Sequence, residues 1–254
     1  MSFKSIIAGL FGRQSRGMEI SYSKINAYLY CPMKYKLLYE EGKFVQPTPA
    51  ISLGQSIHRA LEDFHSHKYD GADELIECYD RVWVNTGFST PQQALDFYNK
   101  GYRMLRNYWE AARDMKSEII YVEKDFSFDL GKHRVRGLID RVDKYPDGTY
   151  ELMDYKTHNE MWPQDRVDSD LQLSIYALGC KECFGFEPDQ LSIYFIAHGR
   201  KMYSSRSREQ IEAAKKTITE VADKIVKKDF EPKNPTCKNC DMKHHCPKNA
   251  KNKN

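Results

Sequence analysis

The chain has 254 residues, of which 41% are hydrophobic and 30% charged, with a net charge of +3. That composition supplies one large core and excludes a membrane-spanning helix, because no run approaches the ~20 apolar residues that cross a bilayer. Residues 5–11 are apolar but short and lack a small-residue cleavage site, so no secretory signal is expected.

Charge is uneven. Residues 224–254 hold nine lysines against three acids, and the first fifty residues hold seven Lys or Arg against three Glu. Both ends therefore suit contact with a polyanion. Seven cysteines, an odd number clustered late, argue against a disulfide framework and for a reducing, cytoplasmic setting and a metal.

Residues 1–20 read as a flexible leader. Ser21 and Ser23 can cap a helix running through Ile25, Tyr28 and Leu29 to Cys31, and Pro32 can open the next helix. Residues 41–49 read as a loop. A helix is expected from about 55 to 67, with Ile57, Leu61 and Phe64 on its buried face and His58 beside them. Alone, such a histidine is more often structural than a ligand. Helices at 73–86 and 91–116 carry Tyr, Trp and Leu at helical spacing, a core pattern.

Strand character begins at Glu118. Residues 119–130 pair through Gly131-Lys132 with 133–139, and the chain continues into a hairpin over 137–156. There, Gly-Leu-Ile-Asp-Arg-Val-Asp-Lys-Tyr and Thr-Tyr-Glu-Leu-Met-Asp-Tyr-Lys flank Pro146-Asp147-Gly148. A three-residue loop with Gly148 left-handed sets residue 145 against 149 and Asp140 opposite Asp154. A two-residue Asp147-Gly148 turn would instead shift Asp140 opposite Tyr155 and reverse its face. The first register is taken. It leaves Leu138, Val142 and Leu152 as an apolar floor beside the carboxylates. Two acids about 5 Å apart repel, and a divalent cation relieves that repulsion through oxygen ligands. With Lys156 at the rim, the set offers what phosphodiester hydrolysis needs: an ion to hold the phosphate and a cation to meet growing negative charge. Glu123, on the preceding strand, reads either as a third carboxylate or as an edge charge.

After a polar loop to 168, a helix over 169–183 places Gln172 and Tyr176 on one face. The apolar run 191–197 is a strand parallel to the 150–156 strand, because a helix crosses between them. A long amphipathic helix spans 207–228 and leads into a cysteine-bearing tail. In that tail Cys237-x2-Cys240-x5-Cys246 supplies three thiolates within ten residues. Zinc readings remain open, through Cys180-x2-Cys183 with Cys237-x2-Cys240, or through His244 or His245.

Five features stand in order: Gly54-x3-His58, Gly137-Leu-Ile-Asp140, Asp154-Tyr-Lys156, Gln172-x3-Tyr176, and Cys31 with the three tail cysteines. In this order they resemble the RecB-like branch of the PD-(D/E)XK nucleases, in particular stand-alone RecB-family exonucleases and CRISPR-adaptation nucleases that carry an iron–sulfur cluster. The segment Tyr-Ser-Lys-Ile-Asn-Ala-Tyr-Leu-Tyr-Cys-Pro-Met-Lys-Tyr also resembles that family's entry segment. The acidic position of the second motif is Asp154 rather than Glu, a variant the family tolerates.

The resemblance implies an α/β fold: a PD-(D/E)XK, restriction-endonuclease-like core with a mixed sheet in αβββαβ order, added N-terminal helices and a C-terminal cysteine cluster. It implies a nuclease domain over 21–230 and an iron–sulfur tail over 231–254 closed by Cys31. It implies that His58, Asp140, Asp154 and the Tyr155 carbonyl bind Mg2+ or Mn2+. Lys156 then stabilises the transition state, and Gln172 and Tyr176 position the strand and support the site. Cys31, Cys237, Cys240 and Cys246 would hold a 4Fe–4S cluster. The implied activity is a metal-dependent deoxyribonuclease, an exonuclease on single-stranded DNA or DNA ends. A helicase or CRISPR-adaptation proteins are the implied partners, and any motor must be a separate chain because no helicase motif is present. Two other functions are weighed against it: an accessory DNA-binding subunit of a repair or adaptation complex, and an iron–sulfur redox protein.

Overall fold

A long antiparallel pair forms the centre of the molecule. In the computed structural model, which describes residues 17–232, 237 and 240–250, β2 (Glu118–Leu130) and β3 (His133–Lys144) pair along nearly their whole length. The expected leader as far as residue 16, and parts of the expected tail, lie outside the described residues. Glu19 and Ile20, at the end of that leader, form a short strand, β1, parallel to the start of β3. The end of β3 pairs with β4 (Tyr150–Lys156), and β4 pairs in parallel with β5 (Gln190–Phe195). A last strand, β6 (Arg200–Ser204), closes the sheet antiparallel to β5. The sheet is mixed, and a helical crossover joins β4 to β5 as the sequence implies.

The hairpin adopts the three-residue loop. Tyr145 N–H donates to the Thr149 carbonyl at 2.9 Å, Gly148 takes a positive φ of +91°, and Val142 pairs with Leu152. Glycine is suited to that φ because a residue without a Cβ adopts left-handed backbone at little cost.

Helices cover both faces of the sheet. One face packs on α1 (Tyr22–Tyr30), α7 (Leu171–Gly179) and α8 (Arg208–Val226) through Ile25, Leu173, Ile175, Ile218 and Val221. The other packs on α3 (Pro49–Ser66), α4 (Ala72–Val82) and α5 (Pro91–Ala112) through Ile57, Leu61, Leu75 and Leu105. The described residues also form the short helices α2 (Pro32–Tyr35), α6 (Gln164–Asp168) and α9 (Pro247–Ala250). On β4, Leu152 enters the first core while Met153 and Tyr155 enter the second, as strand alternation requires.

α3 begins six residues earlier than the periodicity suggested. Thr48 Oγ1 caps Ile51 N–H and Pro49 occupies the first turn, a start signal that the apolar spacing alone does not reveal. The 120s and 170s are locked by a ring in a slot. A Cβ at Gly137 of β3 would lie 2.5 Å from the Phe126 ring, and one at Gly179 of α7 would lie 2.7 Å from it.

Candidate active site

Three elements bring the acidic residues together. The β2–β3 ladder pairs Val122 with Arg141 and Lys124 with Ile139 but skips Glu123 and Asp140 between them. At that break Glu123 has a φ of +40°, a conformation that costs a non-glycine residue about 1–3 kcal/mol. The break also changes the face that β3 presents. Ile139 packs in the α7-side core, yet two residues later Arg141 Nη1 donates to Tyr108 Oη on α5 at 2.9 Å. Regular alternation would keep 139 and 141 on one face. The expected floor is corrected in the same way: Val142 and Leu152 are fully buried, but Leu138 is 40% exposed, because the kink gives Ile139 the buried position.

β3 and β4 part beyond the Arg141–Met153 pair. In the gap, Asp140 Oδ2 accepts the backbone N–H of Tyr155 at 2.7 Å. From α3, His58 Nδ1 approaches Asp140 Oδ2 and Glu123 Oε1, each at 3.7 Å. The ligating atoms of His58, Glu123 and Asp140 all lie within 4.8 Å of one another, and theirs is the one such group among the described residues. Glu123, left open between ligand and edge charge by the sequence, stands inside the site.

Asp154 belongs to an adjoining group. Its Oδ2 lies 2.7 Å from Lys156 Nζ, and no well-angled hydrogen bond reaches that buried oxygen. Lys156 Nζ also donates to Gln172 Oε1 at 2.8 Å, and Gln172 Nε2 donates to Tyr176 Oη at 2.7 Å. The four-residue spacing on α7 therefore produces a relay from Lys156 to Tyr176. Tyr155 turns its ring to the opposite face, where its hydroxyl meets that of Tyr108 at 3.0 Å.

The electrostatics follow from burial and crowding. Burial raises the Asp140 and Asp154 carboxyls above the usual carboxylate range. Glu123 adds to the rise at Asp140, Asp140 adds to that at Asp154, and His58 and Lys156 offset part of both. Burial alone would lower His58, but Asp140, Glu123 and Asp154 outweigh it and lift the imidazole to about 9. Burial likewise opposes the Lys156 charge, and Asp154 more than restores it. Three carboxylates and one imidazole, crowded and partly orphaned, are a donor set that fits a divalent ion of the Mg2+ or Mn2+ type. The imidazole favours Mn2+.

His58, Asp140, Asp154, Lys156 and Gln172 line an open cleft of about 500 Å³, whose walls add Phe97, Lys100, His158 and Asn159. A family model described as the PD-(D/E)XK nuclease superfamily matches residues 19–247. The chain belongs to that superfamily.

As a PD-(D/E)XK nuclease it is 27% identical to the Gene 69 protein of Mycobacterium phage D29, over 89% of this chain and 96% of that protein. It is 23% identical to the Gene 69 protein of Mycobacterium phage L5, over 89% and 95%. The crystal structure of an exonuclease candidate from Eubacterium rectale superposes with a TM-score of 0.57 at 11% identity, covering 89% of this chain and 87% of that one. That likeness is one of fold.

The PD-(D/E)XK core carries a second candidate site. Cys31, Cys237, Cys240 and Cys246 line one cavity, together with Met33, Leu37 and Met242. The N-terminal helices meet the tail there: Lys34 Nζ pairs with Asp241 Oδ2 at 2.9 Å, Tyr28 Oη donates to the Asp229 carbonyl at 2.7 Å, and Tyr35 stacks on Phe230. Cys180 is buried in the α7-side core, and Cys183 donates to the Ser127 carbonyl. Neither lines the cysteine cavity. No helix among the described residues is long and apolar enough to cross a membrane.

Proposed function

We propose that this chain is a divalent-metal-dependent deoxyribonuclease that works from DNA ends or on single strands. The observation that carries this reading is the convergence of His58, Glu123 and Asp140 beside the Asp154–Lys156 pair, at the point where β3 and β4 separate. His58, Asp140, Asp154 and the Tyr155 carbonyl would hold Mg2+ or Mn2+, with Glu123 beside them as a further carboxylate donor. When bound, the ion supplies Lewis-acid polarisation of the phosphate and a lowered pKa for attacking water. Lys156 keeps its proton, because Asp154 holds it up against burial. It therefore acts as a fixed cation facing the charge that grows on the phosphate, rather than as a base. Gln172 holds the ammonium in place, and Tyr176 holds Gln172. Asp140 fixes β4 through the Tyr155 N–H, which sets the distance between the two acids.

In the same reading residues 21–230 are the nuclease domain and residues 231–254 a tail closed on it by a 4Fe–4S cluster on Cys31, Cys237, Cys240 and Cys246. Support comes from the four cysteines sharing one cavity. The cluster would tie the N-terminal helices to the tail. A helicase or CRISPR-adaptation proteins remain the proposed partners, and the compartment is proposed to be cytoplasmic.

The test is digestion of end-labelled single- and double-stranded DNA with Mn2+ supplied and withheld. Wild-type protein should cut only with metal. Asp154→Ala and Lys156→Ala should not cut, while retaining their iron. A folded wild-type protein that cuts neither strand form at any metal concentration defeats the proposal.

A further inference from the structure

Beside Lys156 lies a group of rings that the hydrolytic groups do not use. The loop after β4 places His158 in the wall of the active-site cleft, solvent-exposed and two residues beyond Lys156. Its imidazole lies parallel to Trp162, with centroids 5.5 Å apart and planes 22° apart, and meets the buried Phe195 ring edge-on at 5.6 Å. Trp162 is itself fixed. The Arg166 guanidinium sits 3.8 Å over its ring, and Phe195 meets it at 77°. The loop is tied down further by His198 Nε2, which lies 2.6 Å from the Asn159 carbonyl. Partial burial, with help from Lys156 and Arg166, lowers the His158 pKa against the opposing pull of Glu160, which favours the neutral ring.

A flat, uncharged, pre-oriented ring in a cleft beside a phosphate-directed ammonium matches an unpaired nucleobase. Bases stack on aromatic faces regardless of identity, whereas a paired base has both faces covered by its neighbours in the duplex. We propose that His158, backed by Trp162 and Arg166, is a base-stacking platform for the nucleotide next to the scissile phosphate, and that it selects unpaired strands. This rests on the nuclease reading above and names the part of the substrate that the cleft grips besides its backbone.

The test measures the affinity of Asp154→Asn protein, in Mn2+, for labelled single-stranded oligonucleotides carrying one abasic site walked along the strand. At one position, loss of the base should weaken binding about tenfold, within the ~5- to ~100-fold that stacking on one side chain supports. In the Asp154→Asn/His158→Ala double variant the intact strand should bind about tenfold more weakly, with the abasic dip gone. His158→Phe in the same background should restore both. A flat abasic scan with His158 present, or a dip that persists in His158→Ala, overturns the platform while leaving the nuclease reading intact. Failure of the folded protein to bind any oligonucleotide overturns both.

Discussion

Asp140 Oδ2 accepts the Tyr155 backbone N–H at 2.7 Å, so a side chain of the metal group closes the sheet where the β3–β4 ladder ends. The acid therefore has two duties, and substitutions at the two aspartates should separate them. Asp140→Ala strands a buried N–H and should destabilise the metal-free fold by about 1–3 kcal/mol. Asp154→Ala strands no backbone N–H; it unpairs the Lys156 ammonium, which is 20% exposed and keeps its bond to Gln172, and should cost less. Both should abolish cleavage. Urea denaturation in EDTA beside a nuclease assay checks the contrast, and equal losses of stability would refute it.

Glu123 holds a left-handed backbone inside a strand, which natural chains keep where function repays it. Glu123→Gly should stabilise the metal-free protein by about 1 kcal/mol, since glycine adopts that φ without penalty. The same change should weaken Mn2+ binding by tenfold or more, measured by calorimetry. A less stable variant with unchanged Mn2+ affinity would show Glu123 to be a packing residue.

Two histidines on α3 should give opposite pH responses. His58 is lifted to about 9 in the metal-free fold. Its contribution is complete below the unfolded value near 6.5 and is lost as pH rises through 9. His65, buried beside Arg141 and Tyr108, is pushed down to about 3. Its contribution is present above about 6.5 and is lost as pH falls toward 3, at up to about 1.4 kcal/mol per pH unit. In EDTA, His58→Gln should flatten the alkaline limb of the stability profile and His65→Gln the acidic one. Unchanged limbs would overturn the assignment.

The tail should depend on its metal. Cys240→Ser should lose iron and acid-labile sulfide, bleach the brown colour, and lower the thermal midpoint. Cys183→Ser, outside the cavity, should keep all three. Stoichiometric zinc in colourless wild-type protein would replace the cluster with a zinc site.

The hairpin was legible because Pro146-Asp147-Gly148 leaves few registers, and the three-residue loop sets Val142 against Leu152; the expected pairing of Asp140 with Asp154 lies past the last paired residues, Arg141 and Met153. The Gln172–Tyr176 pair was legible because helical spacing decides it. Glu123 could be named as a third carboxylate but not chosen over an edge charge, because no local residue pattern announces a left-handed glutamate: the φ accompanies the paired break in two strands. The Leu138 error has the same origin, since alternation cannot anticipate a kink. β1 and β6 escaped notice because strands of two and five residues at a sheet edge carry little periodicity. The His158–Trp162 stack depends on how an irregular loop folds back, which spacing rules do not reach.

The Phe126 ring occupies a slot whose walls are two missing side chains, at Gly137 and Gly179. Volume is therefore exchangeable among three positions far apart in the chain. An alanine at either glycine obliges residue 126 to shrink, or α7 lifts and carries Gln172 and Tyr176 away from Lys156. Evolutionary drift at these sites should occur in concert, and a directed swap that enlarges one glycine while trimming the ring should recover what the single change forfeits.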